Sequence, residues 1–210
     1  MTIPMRDGWM VHSDIVPDVA AKAVVEGGRF GSWMQTYTGR QFWPMDPRAS
    51  EIDIEDIAHS LSMQCRYAGH CEAFYSVAEH SVHVAEWLQA GGMPHLVVLQ
   101  GLLHDAPEAY LVDVPRPVKP FLTGYKAAEE AVWKQVALRF GIPETLSPAV
   151  HEADSRILHD ERAQNMRPCA TDWDLVGEPL YIDLDLWTPT AAKREFLELF
   201  HELTEPTNAV

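Results

Sequence analysis

The stretch Leu96-Val97-Val98-Leu99-Gln100-Gly101-Leu102-Leu103-His104-Asp105 decides the fold. At helical spacing its apolar residues occupy nearly every side, which predicts a central helix, opened by Pro94 and buried all round. A histidine and an aspartate at the end of so apolar a helix are costly to bury unless they find partners. Those partners must come from other helices.

Two further stretches supply them. Ser76-Val-Ala-Glu79 has the form of a capping box, starting a helix that runs to about Ala90 and stops at Gly91-Gly92. His80 falls on its apolar stripe with Val77, Val84 and Leu88, while Glu79, His83 and Glu86 form the opposite face, so His80 is expected inward and His83 in water. A third helix, Pro148 to about Met166, places Asp154 on a stripe with Val150, Ile157 and Leu158. Three helices thus direct His80, His104, Asp105 and Asp154 inward. Two histidines and two aspartates in an apolar bundle suit one borderline divalent ion (Mn, Fe, Co, Ni or Zn) with positions left open for water and substrate. Asp105 has a second reading, because Asp105-Ala-Pro-Glu108 also fits a capping box for a short helix beginning at Pro107. That reading accounts for Asp105 and Glu108 and leaves His104 without a role.

The other elements are helical with a small β addition. Ile54, Ile57, Ala58 and Leu61 predict a helix to about Cys65; further helices are expected over Lys126 to Phe140 and Ala191 to Leu203. Pro115, Pro117 and Pro120 make an extended loop that carries Lys119. Trp33 to Trp43 predicts an aromatic hairpin turning at Thr38-Gly39, and the alternation in Tyr181-Ile-Asp-Leu-Asp-Leu186 predicts a short strand that can pair with it. The expected architecture is an all-α helical bundle with a small β-hairpin. It is divided into an accessory arm over residues 1–30, with short helical propensity from Asp18 to Val25, and a single domain over 31–210 whose core spans about 54–166.

Composition limits the partners. Among 210 residues, Asp and Glu number 31 against 16 Lys and Arg, a net charge of −15 that disfavours duplex nucleic acid and anionic membranes. A small phosphorylated substrate is still compatible, provided the site carries its own positive charge. The three cysteines, Cys65, Cys71 and Cys169, are odd in number and fit a reducing compartment. Cys65, His70 and Cys71 have the look of half a zinc site, but no second pair follows. The start of the chain lacks a secretory pattern and no apolar run is long enough for a membrane span, so the cytoplasm is the expected compartment.

An isolated histidine, a His-Asp pair after a hydrophobic helix and a distant aspartate resemble the HD-domain superfamily of metal-dependent phosphohydrolases. Within it, Arg66, Glu79-His80-Ser81, the run Leu103-His-Asp-Ala-Pro-Glu-Ala-Tyr-Leu-Val-Asp113 and Pro115-Arg-Pro-Val-Lys119 are similar to bacterial 5′-deoxynucleotidases and to phage HD enzymes that hydrolyse dATP. The resemblance covers roughly Ile54 to Met166 and implies an HD-type bundle and a homo-oligomer. It also implies His80, His104, Asp105 and Asp154 as metal ligands, Glu108 and Asp113 as acid/base or water-positioning groups, and Arg66 at the nucleotide. Lys119 offers a cationic donor to phosphate. The expected reaction is hydrolysis of a deoxynucleoside monophosphate to nucleoside and phosphate. Release of triphosphate from a dNTP, hydrolysis of guanosine tetraphosphate, and a nucleotide-binding module without catalysis are the alternatives.

Overall fold

The computed structural model describes residues 24–25 and 28–205, so part of the expected arm, including Asp18, lies outside the described residues. Two antiparallel two-stranded sheets come first: β1 (Val24–Val25) pairs with β2 (Arg29–Phe30), and β3 (Met34–Gln35) with β4 (Gln41–Phe42). Val24 and Val25 are therefore strand where the sequence suggested helix. The helices are α1 (Ile54–Met63), α2 (Val77–Ala90), α3 (His95–Leu103), α4 (Glu108–Leu111), α5 (Tyr125–Phe140), α6 (Pro148–Asn165) and α7 (Pro189–Thr204). The expected helical bundle with a small hairpin is what the chain forms. No helix among the described residues is long and apolar enough to cross a membrane.

The aromatic hairpin is β3–β4, with Met34 opposite Phe42 and Gln35 opposite Gln41. Gly39 takes a φ of 81° in its turn, a conformation that costs glycine little. The Asp56 carboxylate of α1 accepts from Thr38 N at 2.7 Å and Thr38 Oγ1 at 3.0 Å, which fastens the hairpin to the bundle. Phe42 is buried and stacks on Tyr110, ring centroids 3.9 Å apart.

The most enclosed helix is α2, which packs against α1, α3, α6 and α7 and is buried from Val77 through Ala85. Helix α3 is buried only from Val98 onward, and Leu96 in its first turn is 44% exposed, so it is less enclosed than its composition suggests. Contact between the two helices is close at Gly101, where a Cβ would lie 2.6 Å from Leu88 Cδ1.

Two expectations fail for one reason, the course of the chain after α6. Residues 181–186 form no strand; Tyr181 and Leu186 have φ of 60° and 54°, which interrupts an extended ladder. Side chains take over the backbone hydrogen bonding. Asp160 accepts from Leu180 N (2.8 Å) and Tyr181 N (3.1 Å), Gln164 accepts from Leu184 N (2.9 Å), and Glu79 accepts from Leu186 N (2.6 Å) and Trp187 N (2.7 Å). Ser76 caps α2 as expected, its Oγ accepting from Glu79 N at 3.0 Å, but the Glu79 carboxylate serves the distant segment and does not close a reciprocal box. The same segment covers His83, which is 5% exposed beside Trp187 and not in water.

Candidate metal centre

His80 from α2, His104 at the end of α3 and Asp154 from α6 converge, with one ligand atom from each lying within 4.8 Å of the others. The Nε2 atoms of His80 and His104 are 3.3 Å apart, and Asp154 Oδ1 is 3.3 Å from the first and 3.8 Å from the second. Asp105 joins them, its Oδ2 3.6 Å from His80 Nε2 and 3.4 Å from His104 Nε2. Helix α4 begins without a side-chain cap, and Glu108 N donates to the main-chain oxygen of Asp105 at 2.9 Å. The capping alternative for the Asp105 carboxylate is therefore not realised.

Both imidazoles are held by their other nitrogen. His80 Nδ1 is 2.7 Å from Glu161 Oε1, and His104 Nδ1 is 2.7 Å from Gly101 O. A carbonyl and a carboxylate only accept, so each Nδ1 donates, and in the neutral ring each Nε2 carries a lone pair. Two lone pairs and two carboxylates then face one another, an arrangement suited to a cation or to shared protons. Of these, His80, His104 and Asp154 form a group that can hold a metal ion.

Without an ion, the carboxylates favour protonated histidines. Burial would lower the His104 pKa, but Asp105 and Asp154 overcome it and raise it to about 9. At His80, burial and Arg66 lower the pKa and Glu161 and Asp154 raise it further, for a net rise. Burial works against the Asp154 carboxylate, yet the two histidines hold it well below its ordinary range.

The cluster opens onto a cavity of about 560 Å³ whose lining includes Arg66, Glu108, Asp113 and Lys119, together with Arg116 and Trp173. Arg66 leaves the bundle on a turn in which Tyr67, Ala68 and Gly69 have φ of 57°, 51° and 78°; two non-glycine residues in the left-handed region are a strained choice that marks a fixed loop. Its guanidinium is 3.3 Å from Glu161 Oε2 and 3.7 Å from Asp105 Oδ2, while its buried Nε has no partner. Burial opposes that charge, but Glu161 holds the Arg66 pKa well above its ordinary value.

Glu108 Oε1 accepts from Lys119 Nζ at 3.0 Å and its buried Oε2 is unpaired. Burial, with Asp105 and Asp113 nearby, pushes its pKa up to about 9 against the pull of Lys119. Burial also raises the Asp113 pKa, with Arg66 working against it. Lys119 is shared with Glu129, also at 3.0 Å.

The structure thus brings all eight predicted site residues to one cavity and its floor. It adds three that were not among them. Glu161 lies seven residues after Asp154, hence on the same helical face, a signal hidden within the polar run His159-Asp-Glu-Arg162. Arg116 Nη2 comes within 3.8 Å of Asp154 Oδ2. Trp173 tilts against Tyr67, ring centroids 5.6 Å apart, from a segment without a sequence pattern. Cys65 and Cys71 have Sγ atoms 3.4 Å apart, but His70 is exposed and no metal-ligand group forms there among the described residues.

No family model matches the chain. It is 34% identical over 177 residues to YfdR of Escherichia coli (strain K12), an uncharacterized protein, a match covering 83% of this chain and 97% of YfdR. It is also 38% identical over 127 residues to the uncharacterized protein RCAP_rcc00048 of Rhodobacter capsulatus, covering 58% of this chain and 65% of that protein. With the aligned region extending over nearly all of YfdR, the chain belongs to the YfdR family.

Proposed function

We propose that this protein is a divalent-metal-dependent phosphohydrolase of deoxynucleotides, converting a deoxynucleoside monophosphate to the nucleoside and inorganic phosphate. The observation that carries this reading is the cluster of His80, His104, Asp105 and Asp154 at the floor of a cavity that also holds an arginine and a proton-bearing glutamic acid. The similarity of its motifs to HD-domain enzymes supports the same reaction class.

The four clustered side chains would hold one ion, Mn, Fe, Co, Ni or Zn. A divalent ion there supplies charge neutralisation for phosphate and lowers the pKa of a bound water. Arg66, braced by Glu161, lines the cavity and offers a cationic donor to a phosphate oxygen. Glu108, whose pKa burial raises, gives its proton to the leaving ester oxygen, and Lys119 beside it is the charge that steadies the carboxylate left behind. Asp113 orients the attacking water. The products are the alcohol and phosphate, with water consumed.

Charge favours a monophosphate over a triphosphate. Arg66 is committed to Glu161 and Asp105, and Lys119 to Glu108 and Glu129, so the cations of the cavity are largely balanced. Arg116, with a side chain 70% exposed, is the least committed of the three. A long polyphosphate would meet the carboxylates around it with few charges to spare.

The test is to strip the protein of metal, add Mn or Co, and follow product release from a panel of deoxynucleoside mono- and triphosphates. Inorganic phosphate from monophosphates, only with metal, is the expected result. Triphosphate from a dNTP would replace the monophosphatase reading, and no product from any of these with metal bound would overturn the reading as a deoxynucleotide hydrolase.

A further inference from the structure

Glu161 is a carboxylate with no exposed surface, and its two oxygens serve two different parts of the site. Oε1 accepts from His80 Nδ1 at 2.7 Å. Oε2 pairs with Arg66 Nη2 at 3.3 Å and accepts from the Tyr67 hydroxyl. A buried carboxylate is costly, and a simple ion pair with Arg66 would not need an oxygen turned to the histidine.

We propose that Glu161 is a positioning residue that sets metal affinity through His80 while bracing Arg66 at the cavity. By accepting from Nδ1 it fixes the His80 tautomer, so that Nε2 presents a lone pair to Asp105, Asp154 and His104, and it makes that nitrogen a stronger ligand. By holding Arg66 with its other oxygen, it keeps the cation beside the same cluster. This inference rests on the metal reading of the site and not on the reaction or the substrate.

Glutamine separates the two duties, because an amide has one acceptor oxygen and one donor nitrogen. The oxygen is drawn to the cationic Arg66, which leaves the NH2 group against His80 Nδ1. His80 must then accept at Nδ1 and carry its proton on Nε2, where it blocks the ion. Glu161→Gln is therefore expected to weaken metal binding by about 10- to 100-fold, the usual scale for losing such a supporting contact.

The measurement is the cobalt(II) affinity of the full chain, by competition with a chromophoric chelator, together with the visible spectrum of the bound cobalt. Asn165→Ala is the comparison. Asn165 is one turn further along α6, is buried, and exchanges hydrogen bonds with Ala73 N (2.8 Å) and Ala73 O (3.0 Å), so its loss loosens the same helix away from the cluster. A lower affinity and altered spectrum in Glu161→Gln, with near-normal affinity in Asn165→Ala, is the expected result. Equal losses in the two variants, or affinity within twofold of wild type in Glu161→Gln, would overturn the proposal. If the glutamine variant does not fold, Glu161→Asp keeps a charge for Arg66 but withdraws the carboxylate from His80; weakened cobalt binding supports the proposal and unchanged binding overturns it. A wild-type chain that binds no cobalt defeats the metal reading itself, an outcome distinct from normal wild-type binding with an indifferent Glu161.

Discussion

Glu108 shows how neighbouring charge assigns a role to a single residue. Burial beside Asp105 and Asp113 pushes its pKa up to about 9 in the metal-free fold, which favours the proton-bearing form and suits it to donate. Glu108→Ala should lower kcat by roughly 100-fold or more with metal content unchanged, the scale of general acid catalysis, measured by steady-state kinetics alongside elemental analysis. For the wild type, kcat should decline as pH rises through the pKa of Glu108, which an ion on Asp105 lowers from the value of about 9 that it has in the metal-free fold, since the proton-bearing form is the active one. Arg66→Ala should lower kcat/KM by about 1.5–3 kcal/mol, the worth of a hydrogen bond to a charged group; unchanged kcat/KM would remove Arg66 from the substrate site. The clustered residues were legible in the sequence because a histidine or aspartate on an apolar stripe is anomalous by itself. Glu161 was not, because the polar run His159-Asp-Glu-Arg162 hides its place on the stripe of Asp154, Ile157 and Leu158; nor was His83, whose face is polar in sequence and is buried only when the segment before α7 folds over it.

At the scale of elements, the contact between α2 and α3 aligns the two histidines. Gly101 serves it twice: its missing side chain leaves room for Leu88, and its carbonyl accepts from His104 Nδ1. Gly101→Ala places a methyl group 2.6 Å from Leu88 Cδ1, a crowding expected to cost about 1–3 kcal/mol, set against up to about 1 kcal/mol of improved helix propensity. Thermal unfolding should show a lower Tm, with metal affinity reduced as well; a Tm equal to or above wild type would mean that Leu88 moves aside freely. The helices themselves were legible from their periods and caps, as Ser76, Pro148 and Gly141 show at observed ends. The strand expected at 181–186 was not realised, because alternation specifies which side chains are apolar and says nothing of whether a partner strand is within reach. Here Asp160, Gln164 and Glu79 are the partners.

For the whole molecule, the cluster links stability to pH in a way that metal should change. His104 is raised from 6.5 to about 9 in the metal-free fold, so its stabilising contribution is full below pH 6.5 and disappears as pH rises through about 9. Glu108, raised from 4.5 to about 9, acts in the same direction, whereas Glu161, lowered from 4.5 to about 2, contributes above pH 4.5 and loses its effect as pH falls through about 2. The Tm of chelator-treated protein should therefore fall between pH 6.5 and 9, and the metal-loaded protein should lose less, because an ion replaces the proton on His104. An identical fall with and without metal would argue against His104 as a ligand. The most direct measurement is the metal content of the purified wild type, Asp105→Asn and Asp154→Asn, determined by elemental analysis on samples whose circular dichroism matches. The account predicts one divalent ion per wild-type chain and a large loss from both folded variants; full occupancy in either variant, or a wild type that retains no ion when supplied with Mn, Co, Fe, Ni or Zn, would contradict it.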